Sequence, residues 1–304
     1  YGSGNETQLS KTVHTSMLVA LFSGLILAVV GFAFAHTILV WMNSPDETLP
    51  LASLYLKIYF LGMPASMLYN FGSAILRAVG DTRRPMYYLT SAGIVNVILN
   101  LFFVITLHMD VAGVALATVI SMVISAFLIV RCLMRESGAL KLFLNKLSVD
   151  RHILMRIAQI GIPASFQGML FSISNVIIQT SVNGFGATVV AGNSAAQNIE
   201  GFIYISMYAF YQSCLSFVSA NVGAKKFDRI NKILLRSEGC VMITGMVLGG
   251  SAYLFGYGLL SIYTNSMAVV EVGMVRMMFV SLPYFLCGMM DVMVGALRGL
   301  GYAI

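Results

Sequence analysis

The stretch ILRAVGDTRRP, Ile75 to Pro85, carries an apolar run into a basic turn. Arg77 falls in the last turn of an expected helix, Gly80 ends that helix, and Pro85 opens the next apolar segment. Near the other end of the chain, LRGLG (Leu297 to Gly301) repeats the pattern, with Arg298 for Arg77 and Gly301 for Gly80, 221 positions on in both cases. Carried backward without gaps, the same offset pairs Gly2 with Gly223, Lys11 with Lys232, Gly24 with Gly245, Phe34 with Phe255 and Leu61 with Leu282. It also sets Asn70 opposite Asp291. Apolar helices match one another cheaply, so chance is the alternative, and the loop charges below argue against it. A repeat of this length decides the architecture, because it makes the chain two related units.

Composition fixes the class. Hydrophobic residues fill 58% of 304 positions and charged residues 10%, against about 25% charged in soluble domains. Apolar runs long enough to cross a bilayer recur along the chain, so the expectation is an all-α polytopic membrane protein. The net charge of +6 then informs orientation, and no nucleic-acid partner is expected. Cys132, Cys214, Cys240 and Cys287 fall in or beside apolar segments with no CxxC pair, so free thiols and no metal site are expected.

Eight apolar segments can be drawn: residues 12–41, 49–79, 86–107, 112–131, 153–183, 188–221, 233–256 and 267–297. Their connections alternate in charge. Lys11 precedes the first, Arg83 and Arg84 follow the second, six cations from Arg131 to Arg156 surround the link after the fourth, and five from Lys225 to Arg236 follow the sixth. The connections near Asn43–Thr48, His108–Asp110, Gly184–Ala187 and Tyr257–Ser266 hold no Lys or Arg. Basic loops stay on the cytoplasmic side, so every segment is expected to cross once.

Leu140, Phe143, Leu144 and Leu147 follow helical spacing, with Lys141, Asn145 and Ser148 off the stripe. A short amphipathic helix lying in the interface is expected there, an ordinary charged loop being the alternative. The expected division is a partial N-terminal lobe over 1–137, an interfacial linker over 138–152 and a partial C-terminal lobe over 153–304. Under the repeat, two helices are missing before Tyr1 and two after Ile304, so the expectation is a fragment of two pseudo-symmetric six-helix lobes, twelve helices in all and about eight here.

Ionisable groups inside hydrocarbon are costly and usually face a cavity or a partner. Glu200 lies roughly 18 Å into the sixth segment at helical rise. Tyr284, Asp291 and Arg298 are seven apart and share a helix face. These give Asp291, Glu200 and Tyr284 as candidates for cation coupling, with buried structural partnerships as the alternative for both carboxylates. Polar stripes at Asn96 and Asn100, and at Gln167, Asn175, Gln179 and Asn183, either line a wet cleft or glue helices together. Asn70 and Gln197 join the candidate cleft lining. Pro64, Pro163 and Pro283 are expected to kink or unwind their segments. Together with Arg77, Gly80, Arg298 and Gly301 they are structural candidates.

YNFGSAILRAVGDTRRP (Tyr69 to Pro85), VAGVALATVIS (Val111 to Ser121), IGIPASFQ (Ile160 to Gln167), VNGFGATVVAGNSAAQNIEGF (Val182 to Phe202) and GALRGLG (Gly295 to Gly301) resemble the multidrug and toxic compound extrusion (MATE) family. The resemblance runs from that family's third helix into its tenth. It implies two six-helix lobes around a central cleft and export of cationic, amphiphilic small molecules in exchange for H⁺ or Na⁺. It implies no other cofactor, a monomeric transporter, and a place in the bacterial plasma membrane. The family's first-helix acid lies outside this sequence. On the matching seventh helix this chain carries Asn175 and Gln179 and no carboxylate, while Asp291 fits the acid of the tenth helix.

No HExxH, Walker A, GxSxG or aspartate-rich prenyl-diphosphate pattern is present, which speaks against an enzyme. A lipid-linked oligosaccharide flippase of the same superfamily is the alternative transporter. It would want a cationic cleft, and Lys57 and Arg276 read as lying toward outer helix ends.

Overall fold

The computed structural model describes residues 1–41 and 48–302, which are helical almost throughout and contain no strand. Most of the connection expected near Asn43–Thr48 lies outside the described residues. The chain is an all-α multi-pass membrane protein. It divides into two compact units, Asn5–Arg156 and Ile157–Ile304, with Gly2–Gly4 grouped with the second.

The first unit holds α1 (Glu6–Trp41), α2 (Leu49–Leu61), α3 (Met63–Ala78), α4 (Arg83–Leu101, extended by a π-helical turn Phe102–Thr106) and α5 (Asp110–Arg135). The second holds most of α6 (Arg151–Asn183), then α7 (Ala187–Gly223), α8 (Ile230–Leu254), α9 (Gly256–Ser261), α10 (Met267–Arg276) and α11 (Phe285–Leu300). Among the described residues, six helices are long and apolar enough to cross a membrane, and α2 with α3, bent by 47° at the break between them, passes the same test as a pair. α7 has the length, 37 residues, but its polar content leaves it outside that set. Eight uniformly apolar crossings were expected. The difference has a physical basis, because α7 buries Asn193 and Glu200 inside the second unit, where they meet protein instead of lipid.

The two units repeat each other's joints. α3 ends at Gly80 (φ 92°) and α11 at Gly301 (φ 96°), both in the left-handed region that glycine enters without a Cβ clash. Gly80 N–H donates to Arg77 O (2.9 Å) and Asp81 N–H to Leu76 O (3.0 Å). Gly301 N–H donates to Arg298 O and Tyr302 N–H to Leu297 O, both at 3.0 Å. This pair of bonds satisfies helix-terminal carbonyls in the same way at both sites. The paired glycines Gly24 and Gly245 also match. A Cβ on Gly24 would sit 2.5 Å from Pro64 Cα, and one on Gly245 2.7 Å from Phe285 Cβ. Pro64 and Phe285 are themselves 221 positions apart. Lipid gives no hydrophobic drive between helices, so close backbone approach of this kind supplies the attraction.

The helix breaks correspond as well. The first unit's span turns at Gly62, just after Leu61, with Pro64 in the first turn of α3. The second unit's span changes from a π turn (Met277–Ser281) to a 3₁₀ turn (Leu282–Tyr284) that contains Pro283. Pro64 and Pro283 thus begin a new helical piece, where a missing N–H costs nothing. Pro163 differs, since it sits inside an unbroken α6.

The interfacial helix expected over 138–152 does not form. Gly138–Leu140 and Leu144–Lys146 are short 3₁₀ turns joined by extended chain. Leu142 is buried, and Leu140 and Leu147 pack with it against Val13, Met17 and Leu133 of the first unit. The backbone donors are spent on α1: Phe143 N–H reaches His14 Nε2 at 3.1 Å and Asp150 N–H reaches Thr15 Oγ1 at 3.1 Å. The leucines are therefore buried in a protein core, and a helix would have used those donors internally. The segment belongs to the first unit instead of forming a separate linker.

The basic turn between α3 and α4 is also more tightly built than its charges suggest. Asp81 Oδ1 accepts the N–H groups of Arg83 (3.1 Å) and Arg84 (3.2 Å), capping the start of α4. The Arg84 guanidinium then pairs with both Asp81 and Glu136.

Candidate functional site

The strongest polar cluster lies in the second unit, where α7 faces α10. Glu200 is 5% exposed. Arg276, the last residue of α10, points Nη2 at Glu200 Oε2 (2.7 Å) and Nε at Oε1 (3.0 Å) and Oε2 (3.3 Å). Its Nη1 donates to Asn193 Oδ1 at 2.6 Å, and the Ser281 hydroxyl donates to Glu200 Oε1 at 3.3 Å. Asn193 stands seven residues before Glu200 on α7, so both face the same guanidinium. From Asn193 the network reaches α6 through Nδ2 to Gln179 Oε1 (3.3 Å), and Gln179 donates on to Asn183 at 2.9 Å. A forked guanidinium on a buried carboxylate is the strong form of ion pair, directional and charge-assisted.

A second cluster forms at the end of α11. Arg298 Nη2 donates to Gln167 Oε1 (2.6 Å), and its Nη1 donates to the Tyr211 hydroxyl (2.7 Å). Tyr204, Tyr208 and Tyr211 stack in a ladder along α7, with successive ring centroids 5.9 and 5.2 Å apart. Asp291 and Tyr284 lie on the same α11 approach, each partly buried. Asp291 makes no hydrogen bond and no ion pair among the described residues.

Of the polar residues selected from sequence, Gln167 and Gln179 hydrogen-bond from α6 to Arg298 of α11 and Asn193 of α7. Asn175 and Gln197 are exposed. In the first unit, Asn100 donates to Asn96 at 3.0 Å and keeps a buried Oδ1 without a partner, while exposed Asn70 lies near Ser66. An apolar cavity of about 570 Å³ between α7, α8 and α9, walled by Ile199, Phe202, Leu248, Phe255 and Tyr263, takes in none of the selected residues.

Arg276 reads from sequence as a free outer-end cation, but its guanidinium is instead turned into the unit and paired with buried Glu200. Asn193, Ser281 and Glu238 were also missed. Glu238 is buried on α8, and neither carboxylate oxygen has a hydrogen-bond partner. The available signal was charge sign, since a glutamate and an arginine in two apolar segments are candidates for one another.

The MatE family model matches residues 1–102 and 163–304. The chain belongs to the MatE family. Among MatE relatives, the probable multidrug resistance protein YoeA of Bacillus subtilis is 25% identical over 308 residues, covering 99% of this chain and 66% of its own length. The FAD transporter of Shewanella oneidensis is 25% identical over 279 residues, covering 89% of this chain and 61% of its own. The chain thus spans less than two thirds of the length of these two relatives. In fold it is similar to a MOP superfamily transporter from Pyrococcus furiosus, described as having a binding pocket of reversed polarity that suggests a different function. That likeness has a TM-score of 0.93 at 20% identity over 99% of this chain and 68% of the other.

Proposed function

We propose that the full-length protein is a secondary-active multidrug efflux antiporter that exports cationic, amphiphilic compounds in exchange for H⁺ or Na⁺ by alternating access. The observation that carries this reading is Asp291, a partly buried carboxylate on a membrane-spanning helix that makes no hydrogen bond or close ion pair among the described residues, with Arg298 two turns further along the same helix. Such a group can load and release a proton or a cation without first breaking an ion pair. Glu200 is committed to Arg276 through a forked, charge-assisted pair. In this reading Asp291 carries the coupling ion with Tyr284 beside it, and Glu200 supports the site as half of a fixed pair. Asn70, Asn96, Asn100, Asn175, Gln179, Asn183 and Gln197, with Gln167, supply polar groups to the substrate path. The paired joints of the two units support alternating access, since related lobes give two related end states. The placement that goes with this is a bacterial plasma membrane with the basic loops cytoplasmic and the transporter monomeric.

The test uses the full-length protein in everted vesicles, following ethidium under an imposed pH or Na⁺ gradient. The expected outcome is gradient-driven accumulation that Asp291→Asn abolishes while ethidium binding persists. Normal transport by that variant rejects the assignment of Asp291, and absence of gradient dependence in the parent rejects the antiporter.

A second reading is favoured by one observation. Arg298 binds only neutral partners, Gln167 and Tyr211, so its positive charge is uncompensated by an ion pair. An anionic cargo would suit it, as in a lipid-linked oligosaccharide flippase, and one relative transports FAD, an anionic dinucleotide. Translocation of a pyrophosphate-linked lipid by the parent, lost in Arg298→Gln, would support this reading over the first.

A further inference from the structure

Where α7 ends and α8 begins, the second unit has an open surface cavity of about 470 Å³. Arg229, which ends the 3₁₀ turn Phe227–Arg229 just before α8, lines it together with Lys232 and Arg236 of the first turns of α8, three and four residues apart. Phe217 and Asn221 line it from α7, and Asp228 and Ile233 complete the wall. None of the three cations forms an ion pair among the described residues, and one carboxylate against three cations leaves an excess of two positive charges. Like charges at this spacing repel, and an anion seated among them would relieve that repulsion.

We propose that this cavity is a binding site for the phosphate of an anionic phospholipid headgroup. The site sits where membrane-embedded helices end, which is the depth of headgroups, and basic pockets at such ends attract anionic lipid. Phe217 is 61% exposed and, with Ile233, offers an apolar wall for the glycerol and upper acyl chain beside the guanidinium groups. A free phosphate shares the anionic chemistry but has no use for that wall.

The experiment uses the full-length protein, delipidated in detergent and titrated by native mass spectrometry with phosphatidylglycerol, phosphatidylcholine and inorganic phosphate. Phosphatidylglycerol is expected to bind in preference to phosphatidylcholine. The triple variant R229Q/K232Q/R236Q is expected to weaken it on the order of 100-fold, and R236Q alone about fivefold, which keeps the test readable should the triple variant fail to fold. K225Q/K226Q, in the same connection but outside the cavity, is expected to lose less than R236Q. Equal binding of the two lipids overturns the proposal. So does an equal loss in K225Q/K226Q and the cavity variants, which would mean diffuse surface charge. Displacement of phosphatidylglycerol by millimolar-range inorganic phosphate assigns the cavity to a soluble anion instead and also overturns it.

Discussion

Replacing Arg276 by Met tests whether the Glu200 cluster holds α7 to α10. In the native protein Arg276 makes three contacts with Glu200, at 2.7, 3.0 and 3.3 Å, and one with Asn193 at 2.6 Å. The Glu200 side chain is 7% exposed and that of Arg276 21%. Met keeps much of the apolar stem and removes every donor. Glu200 is then left with the single Ser281 hydroxyl at 3.3 Å. Breaking a buried pair from one side costs about 3–5 kcal/mol. The partial exposure of Arg276 lets solvent groups offset some of that, so the lower end, about 3 kcal/mol, is the expected loss. The double variant E200M/R276M removes both charges and is expected within about 1 kcal/mol of wild type, because a buried pair exchanged for apolar side chains is close to neutral. The cycle then gives a coupling of about 2 kcal/mol or more. The measurement is a sodium dodecyl sulfate titration of the full-length protein in mixed micelles, followed by circular dichroism. If R276M falls within about 0.5 kcal/mol of wild type, or if the double variant loses as much as the two singles together, the cluster is not what fastens these helices.

Three further outcomes can be read in the same assay. Gly245→Val and Gly24→Val each drive a side chain into the backbone of a facing helix, at Phe285 and Pro64 respectively. Each is expected to cost about 1–3 kcal/mol, and a neutral result at either site refutes the shared close approach. Glu238→Met removes a buried carboxyl whose oxygens have no partner, so a gain of about 1–3 kcal/mol is expected and a loss would reveal a partner. For Asp81, burial alone would raise the carboxyl, but hydrogen bonds and charge from Arg84 outweigh it and hold the group below its ordinary value of 3.8. Its contribution is therefore complete above that value and is lost as pH falls through the lower folded-state value. Wild type should show an acid-sensitive step below about pH 4 that Asp81→Asn lacks, and parallel melting profiles for the two would remove Asp81 from the turn's stability.

The helices and their joints were open to sequence reading because they are local. An apolar run of membrane length must be helical in lipid, and Gly80 and Gly301 mark helix ends by a backbone conformation that glycine alone enters cheaply. The 221-residue offset could be followed because it relates short-range signals, each complete within a few positions. Its sharpest support, the matched approach of Gly24 to Pro64 and Gly245 to Phe285, needed coordinates, because those contacts span about forty residues and one glycine resembles another in sequence. The link over 138–152 failed for a related reason. Helical spacing of leucines states which side chains want burial but not what buries them. Here the His14 ring and the Thr15 hydroxyl competed for the backbone donors and won.

The candidate cluster around Glu200 shows the same limit. Glu200 and Asp291 were chosen on equal grounds, as carboxylates in apolar segments, and the sequence has no means of ranking them. What separates them is a guanidinium 76 positions from Glu200. That partner makes Glu200 half of a buried ion pair. Asp291 has no hydrogen bond or close ion pair among the described residues. In the proposed antiporter the two acids would therefore differ in role, Glu200 staying paired while Asp291 changes its charge state. The assignment of roles therefore turns on which carboxylate has an arginine, and charge reversal across the pair gives the direct check. E200R/R276E should retain gradient-driven transport far better than either single reversal if Glu200 is structural. If Glu200 itself carries the ion, an arginine at that position abolishes coupling in the double variant as well.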